Sequence, residues 1–222
     1  MDFGRAFRFP FGDTNWVSKL LIGTLVSFVP ILNFAAIGYV ADVTRELAGG
    51  RETPLPEWNN FGNLFVRGFK MIVVQLLYAL PLLVLACPIV AFAAIASAND
   101  PNGELTGTAA AVFGCGILLI MLLSLLIAPI SVAASTRFAV TDRFAEALPG
   151  PTLAMLRGRW RPWLMAIVFL IGACIVFGLA SACTFGLLGI VLSFYIQLIA
   201  AFWYAQAYRE TAGSYAMRSS MV

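Results

Sequence analysis

The run Pro162–Tyr208, PWLMAIVFLIGACIVFGLASACTFGLLGIVLSFYIQLIAAFWYAQAY, contains no Asp, Glu, Lys or Arg. As a single helix rising about 1.5 Å per residue it would measure about 70 Å, more than twice a ~30 Å hydrocarbon core. Such a run must fold back on itself. Glycines and a threonine interrupt the helix formers over Cys183–Gly189, so the turn is expected there, between segments 163–182 and 187–208.

Three more charge-free runs precede it: Leu20–Ala41, Met71–Asn99 and Leu105–Thr136. Of the 222 residues 61% are hydrophobic and 11% charged, with a mean hydropathy of +0.90. A soluble domain carries about 25% charged residues. Too little polar surface is available to coat a water-soluble globule, so the chain is expected to be an integral membrane protein of the cell membrane. The net charge of +3 is small and the 14 basic residues are scattered, which argues against a nucleic-acid partner.

Lys and Arg concentrate in cytoplasmic loops. The segment Asn99–Gly107 holds only acids, whereas Arg137–Arg161 holds five arginines. The first is expected outside and the second in the cytoplasm, with the tail that carries Arg209 and Arg218. Within the first run, Pro30 lacks a donor and disfavours helix in the residue before it. A bend at Val29-Pro30-Ile31-Leu32-Asn33 then gives arms 14–28 and 31–47 and leaves every basic residue cytoplasmic, both termini included. A single first span is the competing reading. The run is too long for a cleaved signal peptide. The expected architecture is all-α: a polytopic helical membrane bundle in one domain, with about six segments (14–28, 31–47, 69–98, 106–136, 163–182 and 187–208) forming three hairpins.

Two cytoplasmic connections read as interfacial helices, 57–69 and 142–158. In LPEWNNFGNLFVRGFK (55–70), Trp58, Phe61, Leu64, Phe65 and Phe69 share one face of a helical wheel, and Asn59, Asn60, Asn63, Arg67 and Lys70 share the other. Such a helix lies flat at the acyl boundary and anchors the next span. The second connection is expected to break at Pro149-Gly150. Its Arg157, Arg159 and Arg161 suit lipid phosphates, at about 1 kcal/mol per cation near the surface. Tryptophans favour headgroup depth, and Trp16 and Trp58 join Phe61, Phe65 and the three arginines as expected membrane contacts. Small residues (Ala91–Ala98, Gly114, Gly116, Gly178 and Ala182) read as sites of close helix packing.

Polar side chains within the spans are few: Asn33, Gln75, Gln197 and Gln206. No charge falls near a predicted bilayer centre, where a proton relay would need one. Hydrogen bonds between helices account for the amides. Asp42 and Arg45, three apart on a helix, are expected to meet Lys19 of the other arm, either as a clasp for the hairpin or as a charged gate. The four cysteines lack metal-ligand spacing and there is no histidine, so neither a disulfide, a metal nor another cofactor is expected. GxSxG, P-loop, HExxH and intramembrane acid-pair signatures are absent, and the sequence nominates no catalysis.

FRFPFGDTNWVSKLLIG (7–23), Gly38-Tyr39 and LPEWNNFGNLFVRGFK together resemble a domain-of-unknown-function family of small archaeal and bacterial multi-pass membrane proteins. The resemblance extends over nearly the whole chain, most specifically its amino-terminal third. It implies a helical bundle of about six segments and supplies no catalytic residues. The first expectation for function is scaffolding, assembly or membrane organisation, with membrane lipids and a membrane-protein partner or second copy as partners. The alternative is a small-molecule or lipid transporter, which a polar cavity beside Gln75 or Gln197 would favour.

Overall fold

A computed structural model describes residues 3–51, 55–100, 104, 107–157, 159–182 and 187–219. Helix formers fail at Val29-Pro30-Ile31-Leu32, and there the chain reverses between α2 (Trp16–Phe28) and α3 (Asn33–Ala48). Val29 is extended, and its carbonyl accepts the Asn33 N–H at 2.8 Å. Phe28 and Ile31 at this tip are exposed. Before α2 come α1 (Phe3–Arg8) and a 3-10 turn (Phe9–Gly12).

Next are two long helices, α4 (Phe61–Ala98) and α5 (Gly107–Thr141). A 3-10 turn (Phe144–Ala147) and α6 (Pro149–Leu156) connect them to α7 (Arg161–Ala182) and α8 (Leu187–Ser219). No strand occurs among the described residues, and the fold is an all-α bundle. The helices α4 and α5, and Arg161–Leu179 of α7, are long and apolar enough to cross a membrane. The apolar α2 is shorter; its 13 residues span about 20 Å. Outward-facing leucines, valines and isoleucines of α4, α5 and α7 are exposed, as lipid contact requires.

Three apolar clusters hold the bundle. Tyr39, Phe194 and Trp203 lie in the largest, which joins the amino-terminal segment, α2, α3, α7 and α8. Phe138 and Tyr78 belong to a second, between α4 and α5. Trp163 and Leu156 anchor a third beside Ala207.

The expected interfacial helix 57–69 is not a separate element. Residues 55–60 are irregular, Asn60 is left-handed at φ 74, and α4 then runs unbroken from Phe61 to Ala98. No proline stands between Phe61 and Pro81, so the helix carries through the expected boundary at residue 69. The wheel therefore does not apply to Trp58. The second connection breaks at Leu148, with Pro149 and Gly150 opening α6, because proline is tolerated in a first turn.

Close packing also lies elsewhere than expected. A Cβ on Gly114 or Gly178 would meet nothing, whereas one on Gly38 or Gly68 would collide with backbone across the α3–α4 contact. Gly116 does pack tightly, against Ile89. The expected turn at Cys183–Gly189 lies largely outside the described residues, as do Cys183 and most of the expected outer segment Asn99–Gly107.

Candidate functional site

Four helices each turn one stripe toward a common space. On α3 the stripe is Ile37, Ala41 and Thr44, and on α4 it is Met71, Gln75, Tyr78 and Leu82. On α5 it is Ser124, Ala128, Ser131 and Ser135, and on α8 Gln197, Ala201 and Tyr204. The spacing is helical, three or four residues. Because many of these side chains are small, the stripes do not meet, and they leave an open cavity of about 530 Å³. That lies within the roughly 300–1,000 Å³ of small-molecule sites.

The walls are mainly apolar, with polar groups that fall into two sets. Thr44, Ser124, Ser131 and Thr136 donate to carbonyls of their own helices at 2.7–2.9 Å. Tyr78 donates to the Ala147 carbonyl at 2.6 Å, tying α4 to the α5–α6 connection. The side chains of Gln75, Gln197, Ser135 and Tyr204 make no hydrogen bond among the described residues. No carboxylate, lysine or arginine is in the lining.

The charges gather in a second, polar chamber of about 510 Å³ at the amino-terminal end of α4. There Arg67 pairs with Asp42 of α3 and, at 3.3 Å, with Asp142 just beyond α5. Lys70 lies 3.5 Å from Asp142, and Arg45 lies 3.6 Å from Asp42. Asp142 takes a left-handed φ of 53 to reach this position. Nearby, the buried Arg137 pairs with Glu146 and donates to the Pro151 carbonyl at 2.6 Å.

Lys19 does not join Asp42 and Arg45 as the sequence led us to expect. It is buried with Asp13, 2.9 Å away, and reaches Glu57 at 2.7 Å. Its ammonium also donates to the Leu55 carbonyl at 2.7 Å, so the 55–57 segment, not α3, supplies its partners. Burial alone would push the Asp13 carboxyl up. Hydrogen bonds from Lys19 and from the Asn15 and Leu55 N–H groups outweigh it and hold the carboxyl below its ordinary value. Trp58 closes the cluster: its indole donates to the Lys19 carbonyl at 3.1 Å and its ring lies flat on Tyr39, centroids 4.1 Å apart.

Residues 22–186, well over half of the chain, match the family described as "Protein of unknown function (DUF4013)". The chain belongs to this family. No curated protein and no solved structure matches it. The DUF4013 region takes in α3, α4, α5 and α7, hence three walls of the cavity and the whole Asp42–Arg67–Asp142 network. FRFPFGDTNWVSK (7–19), the start of the amino-terminal third expected to be most specific, precedes it, and most of the rest of that third lies within it. It meets the DUF4013 region where Asp13 and Lys19 bind residues 55–57.

Of the expected membrane contacts in this DUF4013 protein, Trp58 is corrected to a core residue, since its stacking on Tyr39 and its indole hydrogen bond enclose it. Phe65 is half-buried against the core and 5.3 Å from the Phe34 ring, whereas Phe69 on the same face is exposed. Phe61 is exposed, as are Arg157, Arg159 and Arg161. Trp16 is half-buried, edge-on to Phe11. Gln75 and Gln197 are legible in the sequence as polar residues within apolar runs. The serine stripe on α5 was not singled out, although its spacing of seven and four residues was there to be read.

Proposed function

We propose that this protein is a non-catalytic carrier that takes a small membrane-soluble molecule into the cavity between α3, α4, α5 and α8, as a transporter or permease component. One observation carries this reading: an open cavity of about 530 Å³ with Gln75 and Gln197 in its wall. Scaffolding needs only a solid core and a greasy flank. Protein interiors are otherwise close-packed, and a void forfeits dispersion contacts along its lining. Unpartnered amides and hydroxyls facing that void fit a ligand site better than a strut. The lining supplies no general base or nucleophile of perturbed charge, which supports binding and passage over catalysis.

We place the chain in the cell membrane with both termini in the cytoplasm. Support comes from the ends that meet: Arg67 with Asp142, Trp163 with Ala133 and Ala207 in one apolar cluster, and Arg159 with the Glu210 carbonyl at 3.2 Å. The starts of α4 and α7 and the ends of α5 and α8 thus share one charged end, which positive-inside bias assigns to the cytoplasm.

The test is to purify the full chain in gentle detergent and identify bound small molecules by mass spectrometry, for the wild type and for Ser135→Phe. The half-buried Ser135 borders the cavity, and a phenyl ring there narrows it. A bound molecule lost from the variant, with the fold retained, supports the carrier. An identical bound set in both proteins overturns it and returns scaffolding to first place.

A further inference from the structure

We infer that the cavity takes an uncharged amphiphile, a molecule with one apolar chain and a hydroxyl, ester or amide headgroup. This rests on the reading of the cavity as a ligand site. It is drawn from a separate observation, the kind of polar group the walls leave free.

A bound phosphate or carboxylate needs a cation or several convergent N–H groups, and a bound ammonium needs a carboxylate or an aromatic cage. The cavity lining contains neither a formal positive nor a formal negative group. The charges nearest in sequence are already committed. Asp42 is held by Arg67 and Arg45, Asp142 by Arg67 and Lys70, and Arg137 by Glu146 and the Pro151 carbonyl. A charged headgroup brought into this space would lose its water without gaining a counter-ion.

A neutral headgroup meets the opposite situation. Gln75 and Gln197 each offer an N–H₂ donor and a carbonyl acceptor, and Ser135 and Tyr204 each offer a hydroxyl that donates and accepts. These four have no hydrogen bond within the described protein. They come from α4, α8 and α5, so they approach one ligand from three sides. Hydroxyl, ester and amide groups also both donate and accept, or accept from two donors, and match them without any transfer of charge. The remaining wall, Ile37, Met71, Leu82 and Ile127 among it, is apolar and suits an acyl or prenyl chain.

The inference is tested on the full chain in lipid nanodiscs by native mass spectrometry with three probes of one chain length. These are a monoacylglycerol, a lysophosphatidate and an alkyltrimethylammonium. The variants are Gln75→Leu with Gln197→Leu, which roughly keeps volume and removes polarity, and Ser135→Phe, which sets a ring into the space beside the polar groups. Intrinsic fluorescence melting confirms that each variant is folded. We expect the monoacylglycerol to bind about tenfold or more tightly than either charged probe. The leucine pair should lose most of that preference, and the phenylalanine should abolish binding. If a charged probe binds as well or better and Ser135→Phe removes it, the cavity is a ligand site and the neutral class is wrong. If no probe's binding responds to Ser135→Phe, the ligand-site reading itself fails and this inference fails with it.

Discussion

Gly38 and Gly68 face each other across the contact of α3 with α4, each against the other helix's backbone. A Cβ on Gly38 would run into the Leu64 carbonyl, and one on Gly68 into the Phe34 carbonyl. Backbone cannot swing aside as a flexible side chain can, so any larger residue forces the helices apart. Gly38→Ala or Gly68→Ala should each lower stability by about 1–3 kcal/mol, the usual cost of overpacking. Gly114→Ala and Gly178→Ala, in open space, should be neutral or slightly stabilising. Thermal or denaturant unfolding in detergent checks this, and equal losses at all four positions would dismiss the contact.

Asp13 makes stability depend on acid. Its folded pKa lies below the ordinary carboxyl value of 3.8. Its contribution is therefore complete above about pH 4 and is lost as the pH falls through the folded value. Asp13→Asn should cost about 3 kcal/mol at neutral pH, since it leaves the Lys19 ammonium buried with only the exposed Glu57 as an ionic partner. Unfolding followed from pH 7 down to pH 2 should show a shallower acid slope for the variant. Parallel slopes would mean that another carboxylate governs the acid limit.

Arg67 and Arg51 offer a matched comparison. Arg67 is largely buried between Asp42 and Asp142, whereas Arg51 pairs with Glu46 at 2.8 Å with its side chain 78% exposed. Arg51→Ala should change stability by no more than about 0.5 kcal/mol. Arg67→Ala leaves two carboxylates without their shared cation and should cost about 2 kcal/mol or more. High salt should erase the small effect and spare most of the large one.

Topology is open to direct labelling. Cys87, Cys115 and Cys174 are exposed, so a cysteine-free background is needed first. In intact cells an impermeant thiol reagent should then modify Asp100→Cys and leave Arg5→Cys and Arg143→Cys untouched. Modification at position 5 would place the amino terminus outside and overturn the assignment of the first hairpin.

Local patterning was the legible part of this molecule. Charge-free runs located the long helices α4, α5 and α7, and Pro30 located the reversal between α2 and α3, because those signals lie within one segment and need no distant partner. The failures were of partnership. Nothing in the spacing of Asp13, Lys19 and Glu57, six and 38 residues apart, says that the three converge, so the sequence pairs Lys19 with the nearest acid in the hairpin. Trp58 looked like an anchor because a wheel assumes a helix, and the left-handed Asn60 ends that assumption. Gln75 and Gln197 were visible as polar intruders, but a void is set by what the other walls lack. Gly38 and Gly68 look like any other glycines until the helices are brought together.

The hairpin of α2 and α3 has a further consequence. Its helices, 13 and 16 residues long, reach only about 20–24 Å, and Phe28 and Ile31 leave its tip greasy. In the membrane placement proposed above, the acyl chains of the far leaflet must fill the space beneath the tip on that flank, while on the flank of α4 and α5 they meet full-length walls. The annulus around the protein is therefore lopsided, and shorter-chain lipids should collect beside α2. Since α3 also walls the cavity, the thickness of a surrounding bilayer would bear on one side of that cavity more than on the other.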